Sequence, residues 1–246
     1  MVLLWRRQHM PEDPKLHAER LSTEHGVTIG YGHPSNFYTA PYGPQDAEAP
    51  GYEPHQADPT AVAYALEGVE SALQQYPHGF VSKLIRAVFI CGELRMGGAR
   101  AGGTAGRLWI VLAAASDRDS DAIRWAGYIG LHHELSSFAF RYSPTTKVGW
   151  LALEPADAAF AYEAGAAIAR ADDPDPDPAT GFLSVYGASN PENDFNTYAE
   201  MMFAEPKKLA RLAEQHELVR RKLSVVRAAY VAIDPAMDAG FKQLGI

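Results

Sequence analysis

The chain has a single cysteine, Cys91, among 246 residues. No intrachain disulfide can form, so bridges say nothing about its redox compartment. Cys91 closes the run Val88-Phe89-Ile90-Cys91, a setting that suits a buried thiol behaving as a small hydrophobe. Positive charge is also in short supply. The 22 Lys+Arg against 30 Asp+Glu leave a net charge of −8, which repels phosphate backbones and turns the reading away from nucleic acid. The one basic triplet, Arg220-Arg221-Lys222, falls on a helical pattern and is expected to be a solvated face. No uninterrupted apolar run approaches the length of a membrane span. Arg6 and Arg7 follow a very short apolar stretch, the reverse of a signal peptide, so a soluble chain without a signal peptide is expected. The Lys-Ser/Thr ending of a P-loop and the G-x-S-x-G elbow are both missing, which argues against a phosphate cradle and against a serine nucleophile at Ser136 or Ser137.

What is present is ordinary globular material, 47% hydrophobic and 21% charged. A chain of this size can build a core without a metal or a disulfide. The opening stretch to about Glu24 leans helical, with Pro11 and Pro14 as breaks, and Val27–Tyr31 suits a short strand. Residues 40–59 are rich in Pro, Gly, Asp and Tyr and read as a surface wrap or disordered loop. Asp58-Pro59 then opens a helix carrying Val62, Leu66, Val69 and Leu73 at helical spacing, to stop near Tyr76 before Pro77. Leu84–Cys91 and Leu108–Leu112 are strand candidates, with the Gly-rich stretch 97–106 as a flexible connection between them. The strongest central helix runs from Asp121 to Phe140 and ends at Ser143-Pro144. The run Asp172–Pro178 alternates acids with prolines and reads as an acidic surface loop. Asn190-Pro191 opens a helix through about Phe203, and one long helix follows from Pro206.

The chemistry sits within the central helix, at Leu131-His132-His133-Glu134-Leu135-Ser136-Ser137. His-Glu on a helix is the first half of H-E-x-x-H, in which histidines at i and i+4 bind zinc and the glutamate acts as general base. His133 and Glu134 fit the first two places, while Ser137 stands at i+4. His132 is offset by about 100° on a regular helix and points to another face. The same fragment also suits a buried polar network.

A second motif follows at Gly181–Phe195, with the sequence GFLSVYGASNPENDF. It resembles the stretch after the zinc helix in lethal-factor-like zincins and related bacterial zinc-binding metallopeptidases. Tyr76-Pro77-His78-Gly79-Phe80 is similar to the Tyr-Pro-x-Gly-Phe step of the bacterial group. The order helix, strand, Gly-rich connection, strand, His-Glu helix, Tyr-Gly helix is that of a zincin core, and the likeness spans about Asp58 to Glu205.

The resemblance implies an α+β zincin-like fold with a small sheet, an active-site helix and a helical C-terminal part. It divides one elaborated domain into an N-terminal extension (1–57), a core (58–205) and a closing helix (206–246). It further implies Zn²⁺ held by His133, by Asp194 and by a displaced His132, with Glu134 activating the metal-bound water. Tyr186 would donate to the oxyanion at the scissile carbonyl of a peptide or protein substrate. The pattern departs at Ser137 and at Asn193, where the family carries an acid; Asp194 is the neighbouring candidate. The alternative is therefore a zincin-fold binding or structural protein that has lost catalysis.

Overall fold

The computed structural model describes residues 11–32, 52–154 and 176–246. Two compact units are present, one ending at Leu135 and one beginning at Ser136. The architecture is mixed α and β, with small sheets. No helix among the described residues is long and apolar enough to cross a membrane.

The first unit opens on α1 (Pro14–His25), where Pro14 starts the helix instead of breaking it. The reason is local: the Asp13 carboxylate accepts from the amides of Lys15 and Leu16, and proline at the first helical position lacks only an amide that would have no partner. β1 (Thr28–Tyr31) follows, then β2 (Tyr52–Pro54); of the surface wrap expected over 40–59, residues 40–51 lie outside the described residues. α2 (Pro59–Leu73) is capped by Asp58 in the same way and ends three residues short of Tyr76. The apolar run expected as one strand from Leu84 is split. Phe80–Leu84 forms the short helix α3, and Ile85 turns extended (φ −131°, ψ 169°) to lead into β3 (Ala87–Cys91).

The Gly-rich stretch is not a flexible connection. It carries β5 (Ala99–Ala101) and β6 (Gly103–Ala105), preceded by β4 (Leu94–Met96) and followed by β7 (Trp109–Ala113). Glycine and alanine contribute little strand propensity, so pairing with neighbours holds these segments extended. The larger sheet has the order β1-β3-β7-β6, with β1, β3 and β7 parallel and β6 antiparallel to β7. β2, β4 and β5 form a separate antiparallel sheet. Every residue of β3 is buried, as expected of a parallel strand covered on both faces. Cys91 is among them, and burial pushes its thiol up to about 12.

α4 (Ser120–Tyr142) contains the His-Glu fragment. A Cβ on Gly68 of α2 would lie 2.0 Å from the Arg124 carbonyl oxygen, and one on Gly127 2.4 Å from that of Ala65. The two helices therefore pack backbone to backbone at these glycines.

In the second unit α5 (Pro144–Leu151) follows Ser143, as the Ser-Pro break requires. A 3-10 turn at Pro178–Thr180 uses Asp177 as its cap; of the acidic proline run, residues 172–175 lie outside the described residues. A second 3-10 turn, Gly187–Ser189, precedes α6 (Pro191–Ala204), whose cap Asn190 accepts from the Asn193 amide. The single long helix expected from Pro206 is three: α7 (Pro206–Gln215), α8 (Glu217–Ile233) and α9 (Met237–Leu244). His216 (φ −125°, ψ 115°) and Asp234 (φ −148°, ψ 114°) are extended and interrupt the helical path, and Pro235 reinforces the second break. The core here is aromatic. Trp150 meets Phe195 and Tyr198 edge-on at 5.1 and 5.3 Å, and Phe203, Tyr230 and Phe241 cluster at 5.8 to 6.1 Å.

Candidate functional site

The structure brings His132, His133 and Glu134 to the first unit, on α4, and Ser137, Tyr186, Asn193 and Asp194 to the second. In the first unit the two histidines have different surroundings, as their one-residue offset demands. His132 is fully buried, while His133 is half-buried. The Tyr76 hydroxyl and His132 Nδ1 are hydrogen-bonded at 2.6 Å. The Tyr128 ring stands edge-on to the imidazole at 4.7 Å, and the Tyr76 ring is tilted against it at 5.4 Å. Burial in this aromatic box pushes His132 down to about 3 and Tyr128 up to about 12, so both are neutral at physiological pH.

Glu134 is 8% exposed and lies against β6. A Cβ on Gly103 would come within 2.8 Å of Glu134 Oε1 and 3.2 Å of its Cγ. A side chain there would force the Glu134 carboxylate to shift. Among the described residues β6 is also the end strand of its sheet. Gly102 accepts from the Ala113 amide and the Gly106 amide donates to Trp109, both on the β7 side. Bonded and non-bonded pairs alternate along an antiparallel ladder. Gly103 and Ala105 therefore turn their backbone groups toward the open edge, beside the Glu134 carboxylate.

In the second unit the positions of the incomplete zinc motif have other occupations. Ser137 Oγ accepts from Asn196 Nδ2 at 2.9 Å, and Ser136 Oγ donates to Asn196 Oδ1 at 2.5 Å. Asn193 Nδ2 donates to Ser189 Oγ at 2.8 Å. Tyr186 is 40% exposed at the start of the Gly187–Ser189 turn, where its carbonyl accepts from Ser189 Oγ. Asp194 is fully buried, and the Lys222 ammonium donates to its Oδ2 at 2.5 Å. Lys222, itself fully buried, also donates to Glu154 Oε2 at 3.2 Å and lies over the Phe182 and Trp150 rings at 4.6 and 5.1 Å. Burial raises the Asp194 carboxyl to about 7; Lys222 opposes the shift and the neighbouring Glu154 adds to it. Glu154 is raised too, by burial against the same opposition from Lys222.

These occupations decide how well the chain suits a zinc ion. Ser137 is hydrogen-bonded where a second histidine would stand, His132 is enclosed by tyrosines, and Asp194 is neutralised by an ammonium. Among the described residues no group of three or more His, Cys, Asp or Glu side chains is arranged to hold a metal. The donor set does not fit zinc. No family model, curated protein or solved structure matches the chain.

Sequence reasoning passed over Lys222, which it assigned to a solvated face; Arg220 and Arg221 are exposed, but Lys222 is not. A signal was available. Lys222 lies three residues after Val219 and four before Val226, on the apolar stripe that α8 buries. Asn196 and Gly103 carried no comparable signal, because each matters only through a residue distant in the chain.

Proposed function

We propose that the protein is a zincin-like binding module that captures an extended polypeptide on the open edge of β6 and does not hydrolyse it through a metal. The zincin likeness draws support from the sheet order, three parallel strands with an antiparallel end strand, and from the His-Glu helix that follows β7. One observation carries the binding reading. The Glu134 carboxylate rests on Gly103, next to backbone groups that face outward from an end strand. An extended chain adding to such an edge gains main-chain hydrogen bonds, while pockets beside it select alternate side chains. Glu134 then serves as an acceptor for an amide or a cationic group of the bound chain.

Catalysis by metal-activated water is the second reading, supported by the half-buried His133 directly before Glu134. The two readings separate by metal content. Protein purified without added zinc or chelator is expected to contain substoichiometric zinc and to leave an unstructured fluorescent peptide library uncleaved. Stoichiometric zinc with chelator-sensitive cleavage would establish the peptidase instead. The binding reading is tested with Ala105→Pro, which deletes an outward amide and spares the β7 side of the ladder. The library should bind the natural chain and lose at least about tenfold in affinity for the variant, equivalent to roughly 1.4 kcal/mol. Equal affinity for both would remove β6 as the binding edge.

A further inference from the structure

The misfit to zinc has a counterpart in the second unit. α6 offers a fully buried carboxylate, Asp194, one residue past Asn193, where the sequence resemblance puts an acidic metal ligand, and such a group calls for a cation or a proton. A cation is present, supplied by the chain. Lys222 of α8 reaches Asp194 Oδ2 at 2.5 Å and Glu154 Oε2, just past α5, at 3.2 Å. Its remaining surroundings are the faces of Phe182 and Trp150, whose negative π-density favours an ammonium in a dry site. One positive charge thus ties together three helical segments through two carboxylates and two rings.

We infer that Lys222 is a resident cation, occupying at Asp194 the electrostatic role that a bound metal has in a metallopeptidase, and that the second unit therefore holds its fold without any metal. The inference rests on the metal-free reading above, which it deepens by naming the group that makes metal unnecessary. A second contact agrees with it. Ser136 and Ser137, in the C-terminal half of α4, are joined to α6 through Asn196 at 2.5 and 2.9 Å. An amide thereby links the two helices that supply the motif positions Ser137 and Asp194.

The test is a charge cycle on the full chain, read by thermal melting with and without EDTA, alongside elemental analysis. Lys222→Met keeps much of the side-chain volume and strands the two carboxylates. Its Tm should fall by about 10 °C or more. Adding Asp194→Asn to that variant should recover at least half of the loss, because the neutral amide no longer calls for a cation. EDTA should leave the Tm of the natural chain unchanged. A Lys222→Met Tm within 2 °C of the natural chain (about 1 kcal/mol or less), or a double variant no more stable than Lys222→Met, would overturn the resident-cation inference while leaving the metal-free reading intact. Stoichiometric zinc in the natural chain, with a Tm lowered by EDTA, would overturn the metal-free reading and the inference together. If Lys222→Met fails to fold, the double variant alone decides: folded supports the inference, unfolded defeats it.

Discussion

Each unit of this protein buries a polar cluster, and the two are solved in opposite ways. In the first, His132 is kept neutral. The Tyr76 and Tyr128 rings pack against it, the Tyr76 hydroxyl is hydrogen-bonded to it, and burial depresses its basicity to about 3. In the second, Lys222 is placed against Asp194 and Glu154, a charged solution in which burial nevertheless pushes Asp194 up to about 7. An imidazole can shed its proton near neutrality and become an ordinary aromatic partner, whereas a lysine brings its charge and must be matched. The contrast teaches that the histidine and the acid that the resemblance pairs as metal ligands each have other partners within their own unit.

The comparison is broken most directly at Lys222. Its replacement by Met should cost about 3–5 kcal/mol in urea unfolding, because an unpaired buried carboxylate remains; a cost below about 1 kcal/mol would mean that the pair contributes only packing. Next in size is an opposite response to pH. His132 falls from its ordinary 6.5 to about 3, so the folded first unit binds fewer protons than the unfolded chain. Its contribution is full above pH 6.5 and is lost as pH falls toward 3. Asp194 rises from 3.8 to about 7, so the folded second unit binds more protons. Its contribution is full below pH 3.8 and is lost as pH rises toward 7. Hydrogen exchange on peptides from each unit, corrected for intrinsic rates between pH 4 and 8, should show protection drifting in opposite directions. His132→Phe should flatten the first trend and Asp194→Asn the second. Drift of both units in the same direction would erase the contrast.

Smaller effects sharpen the first unit's side of the comparison. Gly103→Ala forces a Cβ against the Glu134 carboxylate and should cost about 1–2 kcal/mol, with weakened peptide capture. If stability and capture both stay unchanged, Glu134 does not depend on its seat on β6. Tyr76→Phe removes the hydroxyl on His132 and should cost about 1 kcal/mol by thermal melting, the smallest change of the set. A larger loss would show that the box depends on the hydrogen bond more than on the rings.

Much of the fold was legible locally. The Asp58-Pro59 and Asn190-Pro191 openings, the strands at β3 and β7 and the Ser143-Pro144 break follow from capping, apolar runs and proline, all short-range effects. The misreadings share a cause. β5 and β6 are extended because of partners rather than composition, and glycine-rich sequence alone does not name a partner. The breaks at His216 and Asp234 interrupt an apolar pattern that runs on without a strong stop until Pro235. The candidate site was legible as a list of chemical types and not as an arrangement. His133-Glu134 stands out on paper, but Tyr76 is 56 positions from His132 and Lys222 is 28 from Asp194.

The single cysteine determined that no disulfide closes within this sequence, and the acidic balance set the expectation against nucleic acid, since both depend on composition alone. Helix caps and buried strands were likewise written into neighbouring residues. Only the tertiary structure decided that Ser137 bonds Asn196, that Glu134 rests on Gly103 and that Asp194 meets an ammonium instead of standing ready for a metal. The physical reason is that a buried charge takes its meaning from whichever group the fold brings within about 3 Å, and sequence distance does not govern that choice.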